Sequence, residues 1–333
     1  MLILSGDIGG TNTRLQLAEF NGDQQTQVLA QHDYICNDYP SLNDIINGFL
    51  ATANYKGTDI DSACFAVAGP IVQDEAKFTN LHWLINTKQL ITEFGFKQLK
   101  LINDFEANGY GIETLSDKDI VTLQKGTAIA HAPKSVIGAG TGLGMALLTW
   151  TGEYYQVSPT EGGHVDFAPT TSQQMQLLQY LRKKFHRVSA ERIVSGPGIV
   201  NIYKFVRDNP RLGEHENPEL KFAVASEADP AAAISRFATE HQDHMALRTL
   251  DIFIRAYASS AGNLALAALP YGGLYLVGGI APKLLPYLQS GRFLEVFIDK
   301  GRMSHLLQRI PLHVVCNSKV GLQGAAVYAA RMV

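Results

Sequence analysis

Leu2-Ile3-Leu4-Ser5-Gly6-Asp7-Ile8-Gly9-Gly10-Thr11-Asn12-Thr13-Arg14-Leu15 is the stretch that decides the fold. Leu2 to Ser5 is a short apolar run, read as a buried strand that ends at Gly6-Asp7. Gly9-Gly10-Thr11 reads as a tight turn, after which Arg14 to Phe20 resumes a strand and stops at the Asn21-Gly22 turn. The same order of strand, glycine turn and strand returns at Ser135 to Gly138, Ala139-Gly140-Thr141-Gly142, and Leu143 to Trp150. This weak internal repeat predicts two related lobes, each presenting a glycine hairpin.

Outward from the first hairpin, Val28 to Ile35 supplies a third strand. Pro40-Ser41 opens a helix whose Leu42, Ile45, Ile46, Phe49 and Leu50 fall on one face. Ala63 to Ala68 is a fourth strand, Thr87 to Phe94 a helix, and Leu99 to Ile102 a fifth strand ending at Asn103-Asp104. A hairpin ribbon that leads into parallel β-α-β units makes the fold class α/β, with a β-β-β-α-β-α-β core. Further on, helices are expected at Gln173–Phe185, Ile199–Val206, Pro230–Glu240 and Met245–Leu269, and over about Leu322–Met332. Strands are expected at Leu274–Val277 and Leu312–Val315, and Asn209 to Glu219 reads as a solvated connector. The expected division is a small α/β domain of 1–110 plus about 316–333, and a large one of 111–315. Gly109 to Gly111 is the expected hinge.

With 333 residues the chain is long enough for two domains, and its 46% hydrophobic content supplies their cores. A formal net charge of −3 leaves no basic footprint for nucleic acid or anionic lipid, so an anionic ligand must be held by local geometry. Cys36, Cys64 and Cys316 are dispersed and odd in number, which argues against a disulfide framework and a cysteine zinc site. The opening MLILSGDIGG is too short an apolar run for a secretory leader and lacks a basic start, and no apolar run reaches membrane-spanning length without charge or glycine-rich interruption. A cytoplasmic protein with no membrane partner is expected.

Five constellations carry chemistry. In the first, Gly9 and Gly10 let backbone N–H groups converge on an anion, and Thr11 and Thr13 offer hydroxyls to phosphate. Asp7, at the strand end, suits Mg²⁺ held through water. The plain alternative is a hairpin that uses glycine for conformation only. The second, Gly138 to Gly144, fits neither a dinucleotide fingerprint nor a P-loop, because it joins two strands; a second phosphate-facing hairpin fits better. The third is Asn103-Asp104 at a parallel strand's C-terminal edge, where ligands bind in open α/β sheets. Asp104 reads equally as a proton acceptor for a substrate hydroxyl and as a helix N-cap. In the fourth, Glu161 and His164 flank Gly162-Gly163 and suit a polyhydroxyl ligand that needs both acceptors and donors. Glu191, beside Ser189, reads first as a helix-start residue. The fifth, Val277-Gly278-Gly279, offers a flat slot for an adenine ring.

Together these segments resemble the bacterial glucokinases of the hexokinase, actin and Hsp70 superfamily. The similarity runs through GDIGGTNTRL (6–15), FAVAGPI (65–71), TNLHW (79–83), INDFEA (102–107), GAGTGLG (138–144), EGGHVDFAP (161–169), SAERIVSGPG (189–198) and VGGIAP (277–282). The resemblance implies a two-lobed, actin-like (ribonuclease H-like) ATPase fold with a central cleft. It implies transfer of the γ-phosphoryl of ATP to the 6-hydroxyl of glucose, with Asp104 as base and Asn103, Asp104, Glu161, His164 and Glu191 on the sugar. Asp7, Gly9, Gly10, Thr11, Asn12, Gly140, Thr141 and Gly142 would hold MgATP, with Gly278 and Gly279 near the adenosine. It also implies a homodimer. The cysteine-rich zinc motif of the related ROK kinases is missing, so no zinc is expected. A kinase of mannose or fructose is the nearest alternative. A non-catalytic sugar sensor on this fold would be expected to add a DNA-binding helix-turn-helix, and an actin-like ATPase would lack Glu161, His164 and Glu191.

Overall fold

A computed structural model of the chain describes residues 1–333 except 23, 70, 78–80, 82, 213 and 214. Pro70 of the FAVAGPI segment and Thr79, Asn80 and His82 of TNLHW therefore lie outside the described residues. The chain divides into two compact units: residues 1–119, 151–159 and 317–333 form the first, and 120–150 and 160–316 the second.

In the first unit, strands β1 (Leu2–Ile8), β2 (Asn12–Asn21), β3 (Gln24–Ile35), β4 (Ser62–Val67) and β5 (Leu99–Asn103) make one sheet, ordered β3-β2-β1-β4-β5. The hairpin strands pair antiparallel, and β4 and β5 add parallel to β1. Side chains alternate between two buried faces, as the two-residue period of a strand requires. Ala63, Phe65 and Val67 join one cluster with Leu4, Ile8 and the apolar face of helix α1 (Leu42–Ala53). Cys64 and Ala66 join the other with Ile3, Ala18 and Phe20. Ser41 caps α1 by accepting from the Asp44 N–H, and Asn86 caps α2 (Thr87–Phe94) by accepting from Gln89.

The second face is covered by helix α3 (Asp104–Gly111) and the C-terminal helix α6 (Val320–Arg331); helices α4 (Gly196–Arg207) and α5 (His244–Ala268) lie in the second unit. The approach of α3 and α6 is close enough to require glycine. A Cβ on Gly324 would stand 1.8 Å from the Ala107 carbonyl oxygen, and one on Gly111 2.0 Å from that of Val320. Gly109 is likewise packed against Val157. The glycines offered as a hinge thus serve close packing inside the first unit, and the chain first enters the second unit after Asp119. A small antiparallel ribbon of Ile71–Val72, Glu75–Lys77 and Leu84–Asn86, absent from the sequence reading, completes this unit.

The second unit repeats the pattern. Strands β6 (Ile120–Gln124), β7 (Lys134–Ala139), β8 (Leu143–Trp150), β9 (Gly273–Val277) and β10 (Leu312–Val315) run in the order β8-β7-β9-β10-β6. Again an antiparallel hairpin, β7-β8, leads to two parallel neighbours, β9 and β10. Helices α4 (Gly196–Arg207) and α5 (His244–Ala268) pack with these strands into a single apolar cluster. The connector drawn from Asn209 to Glu219 ends early, because Asn217 caps a helix over Pro218–Ser226. Among the described residues no helix is long and apolar enough to cross a membrane.

Candidate active site

The C-terminal edge of the first sheet gathers two of the expected segments. In register, Ile8 lies opposite Val67 and Val67 opposite Asn103. Two strand spacings separate the end of β1 from the end of β5, about 10 Å. Asp7 and Asp104 are thereby brought to one edge of one sheet.

Asp7 faces Arg14 across the hairpin. Arg14, however, gives its Nε to Asp33 Oδ2 at 3.0 Å and its Nη1 to the Ser318 carbonyl at 3.0 Å. The Asp7 carboxyl makes no hydrogen bond or ion pair among the described residues, and desolvation raises its pKa, Arg14 opposing that shift and Asp33 adding to it. The turn itself closes through Gly9 N–H to the Asn12 carbonyl at 2.9 Å. Cys36 holds it from beneath: its N–H donates to the Thr11 carbonyl at 2.8 Å, and its sulfur stands 3.5 Å from the Gly9 carbonyl. Thr11 and Asn12 are exposed at the tip. Thr13, expected to offer a hydroxyl to phosphate, is fully buried with its Oγ1 3.4 Å from Cys36 Sγ, so only Thr11 keeps that option.

The strand-to-helix turn at β5 separates the two readings of Asp104. Asn103 is the N-cap of α3, and its Oδ1 accepts from the Phe105 N–H at 2.9 Å. Asp104 is the first helical residue; its Oδ1 accepts from the same N–H at 3.0 Å. Capping is therefore assigned to Asn103, and the Asp104 carboxyl is not needed for it.

In the second unit the expected residues meet at Leu143. The hairpin tip closes through Gly140 N–H to the Gly142 carbonyl at 2.9 Å, leaving Thr141 exposed. The Leu143 N–H donates to Glu191 Oε2 at 3.0 Å. A Cβ on Gly163 would lie 1.8 Å from the Leu143 carbonyl oxygen, so the Gly162–His164 turn presses directly on the same residue. That turn presents Glu161 and His164 outward, their side chains 81% and 56% exposed, with Oε2 and Nε2 3.7 Å apart. Arg187 steadies its far end, donating to the His164 carbonyl at 2.7 Å and pairing with Asp166 at 2.8 Å. Glu191 does lie at a helix start, in the first turn of a 3₁₀ helix over Ala190–Arg192 that follows Ser189, but Ser189 makes no side-chain capping bond; Ser195 caps α4 by accepting from Gly198 at 3.0 Å.

Beside this hairpin, β9 ends in register with β7, Val277 opposite Gly138. Gly278 follows with φ of +84°, and its Cβ position lies 2.8 Å from the Ala139 carbonyl oxygen, so only glycine fits. Gly140 and Gly279 face open space. Two supports escaped the sequence reading: Cys36 under the first hairpin, and the Gly196 N–H that donates to the Gly140 carbonyl at 2.8 Å. The run Ser195-Gly196-Pro197-Gly198, with proline in the first helical turn, was the available signal for the second. Among the described residues no group of three or more His, Cys, Asp and Glu could hold a metal by itself.

The glucokinase family model matches residues 4–332. The chain is 47% identical to a glucokinase of Trichormus variabilis over 343 aligned residues, covering 99% of each. It is similar to the crystal structure of a glucokinase from an Antarctic psychrotroph, with TM-score 0.84, 34% identity and 99% of both chains covered. A glucokinase of Balamuthia mandrillaris in complex with glucose gives TM-score 0.77 at 25% identity, over 99% of this chain and 93% of that one.

Proposed function

The chain belongs to the glucokinase family, and from that premise we propose how its residues divide the work of an ATP-dependent kinase acting on glucose. The sugar is held by Asn103, Asp104, Glu161, His164 and Glu191. The phosphates are held by Asp7, Gly9, Gly10, Thr11 and Asn12 of one hairpin and Gly140, Thr141 and Gly142 of the other, with Gly278 and Gly279 against the adenosine. Asp104 accepts the proton of the glucose 6-hydroxyl as O6 bonds to the γ-phosphorus, and the bond to the β-phosphate oxygen breaks to release ADP.

The observation that carries this reading is the Asn103-Asp104 pair at the β5–α3 turn. Asn103 holds the N-cap position, and the neighbouring Asp104 carboxylate, whose Oδ1 also accepts the Phe105 N–H, stands at the same sheet edge within reach of a substrate hydroxyl. The outward Glu161 and His164 supply the acceptor and donor that a polyol requires. Asp7 fits Mg²⁺, because its carboxyl is partly buried, unpartnered among the described residues, and at the mouth of a glycine hairpin. Mg²⁺ bound there would neutralise phosphate oxygens, needing few protein ligands beside the nucleotide's own. The cytoplasmic placement is supported by three cysteines that are all free thiols. A homodimer belongs to the same proposal, on the family resemblance alone.

Asp104→Asn tests the assignment. It preserves shape and glucose binding, and kcat falls by ~10²-fold or more. Near-normal turnover in a folded Asp104→Asn protein removes Asp104 from the role of base.

A further inference from the structure

Glu191 enters the account above as a sugar ligand, yet its carboxylate also has a partner on the nucleotide hairpin. Oε2 accepts the Leu143 N–H at 3.0 Å, at the first residue after the tip. Gly142 explains how the carboxylate gets there. Its φ lies outside the left-handed region, so its backbone does not call for glycine. A Cβ at that position would instead stand 2.5 Å from Glu191 Oε2, inside contact distance. The segment that carries Glu191 is itself fixed: the Ser195 hydroxyl donates to the Glu191 carbonyl at 2.7 Å, and the next residue's N–H, that of Gly196, donates to Gly140 at 2.8 Å. The hairpin is thus gripped on both strands by one short segment, by backbone at Gly140 and by a side chain at Leu143.

We infer that Glu191 is a positioning residue for the second nucleotide hairpin, and that residue 142 is glycine to admit its carboxylate. The N–H to carboxylate bond is of the charge-assisted kind, stronger than a neutral one. It holds the return strand in the place from which the tip amides meet phosphate. The inference rests on the reading that the Gly140–Gly142 hairpin meets the nucleotide, and the experiment separates the two.

Calorimetry with AMPPNP, without sugar, is run on the wild type, Glu191→Ala, Glu191→Gln, Gly142→Ala and the double variant Gly142→Ala/Glu191→Ala. Glu191→Ala should bind AMPPNP about tenfold more weakly. Glu191→Gln should stay within about twofold, because its amide oxygen still accepts the Leu143 N–H. Gly142→Ala should weaken binding alone and add nothing in the Glu191→Ala background, since both changes remove one contact. Wild-type affinity in Glu191→Ala, equal losses in Ala and Gln, or additive losses in the double variant each overturn the inference. A Gly140→Val control, at a position facing open space, reports on the underlying reading. If it leaves AMPPNP binding intact, the hairpin is not the nucleotide site; if it abolishes binding while Glu191→Ala does not, the inference alone fails. Should Glu191→Ala fold poorly, amide exchange at Leu143 in Gly142→Ala decides: faster exchange than wild type supports the bond's displacement, and unchanged exchange overturns it.

Discussion

The two hairpins share a plan and differ in where their charge comes from. In the first, the strands carry it: Asp7 lies opposite Arg14, and Arg14 opposite Asp33. In the second, no residue from Ser135 to Trp150 is charged, and the pairs nearest the turn are Gly138 with Gly144 and Ala139 with Leu143. Its carboxylate is borrowed from Glu191, 48 residues further along the chain. A hairpin with an internal charge can meet a cation but keeps a poorly solvated carboxyl at rest. A hairpin with a borrowed charge has neutral backbone at its tip and depends on a neighbour for its position. Two similar hairpins can therefore present backbone amides at their tips while only one carries an acidic side chain on its own strands.

Removing the internal charge should have the largest effect. Asp7→Asn is expected to lower kcat/KM for MgATP by ~10²-fold or more, as loss of a charge-stabilising group does. Stability should be unchanged or higher. The raised pKa of Asp7 means that the fold disfavours its ionised form, so a neutral amide costs nothing at pH 7. A thermal melt beside the kinetics checks both halves; a destabilised Asp7→Asn with near-normal turnover would make the first hairpin's charge structural and dissolve the contrast.

The second hairpin should be the more sensitive to its neighbours. Gly163→Ala places a methyl group 1.8 Å from the Leu143 carbonyl, so the strand must move. The expected cost is about 1–3 kcal/mol in urea unfolding. A change under a few tenths would show that β8 tolerates displacement.

The smallest effect concerns the strand that leads into the first hairpin. β1 begins with the Leu2 N–H donating to Asp61 Oδ2 at 2.8 Å, while Asp61 Oδ1 accepts from Lys97 at 2.5 Å. The Lys97 bond first, and the Leu2 N–H second, hold the Asp61 carboxyl below the usual range. A depressed folded pKa gives stability that is full above the unfolded value, roughly 3.9, and is lost as pH falls through the lower folded value. Asp61→Asn should therefore be less stable by roughly 0.5–1 kcal/mol at pH 7, a small figure because both side chains are partly exposed. At acid pH, below the lowered folded value, it should match the wild type, since the Asp61 carboxyl is then protonated and as neutral as the amide. Equal deficits at the two pH values would refute the ionic origin.

What the sequence disclosed followed from local rules. The face of α1 was legible because Leu42, Ile45, Ile46, Phe49 and Leu50 recur at helical spacing, and all five are buried. The hairpins were legible because glycine clusters punctuate apolar runs. The ribbon after Ile71 was not, because its turn at Gln73-Asp74 takes φ of +52° and +63° without the Asn-Gly signal. Strand β6 was missed for another reason: its partner β10 lies almost at the other end of the chain, with Thr122 beside His313. The helix over Pro218–Ser226 was hidden because it presents Phe222 outward, 73% exposed, and so lacks a clean apolar stripe. At the candidate site, residue types named Asp104, Glu161 and His164. The geometry was needed to assign capping to Asn103, to withdraw the Thr13 hydroxyl, and to give Glu191 a bond to Leu143.

The C-terminal helix carries a consequence for how the protein is made. Ala325, Ala326, Ala329 and Ala330 of α6 share a buried cluster with Ile3, Ala18 and Phe20. Early residues of the first unit are thus completed by residues made only after the second unit. While the ribosome is still extending the chain, every residue of the second unit exists before the first unit has all of its parts. The order of birth and the order of completion are reversed, and one face of the first sheet stays uncovered until α6 has been made. A stop codon at Val320 would remove α6 and leave Gly111 and Ala107 facing no partner backbone, although nothing in the second unit would have been cut.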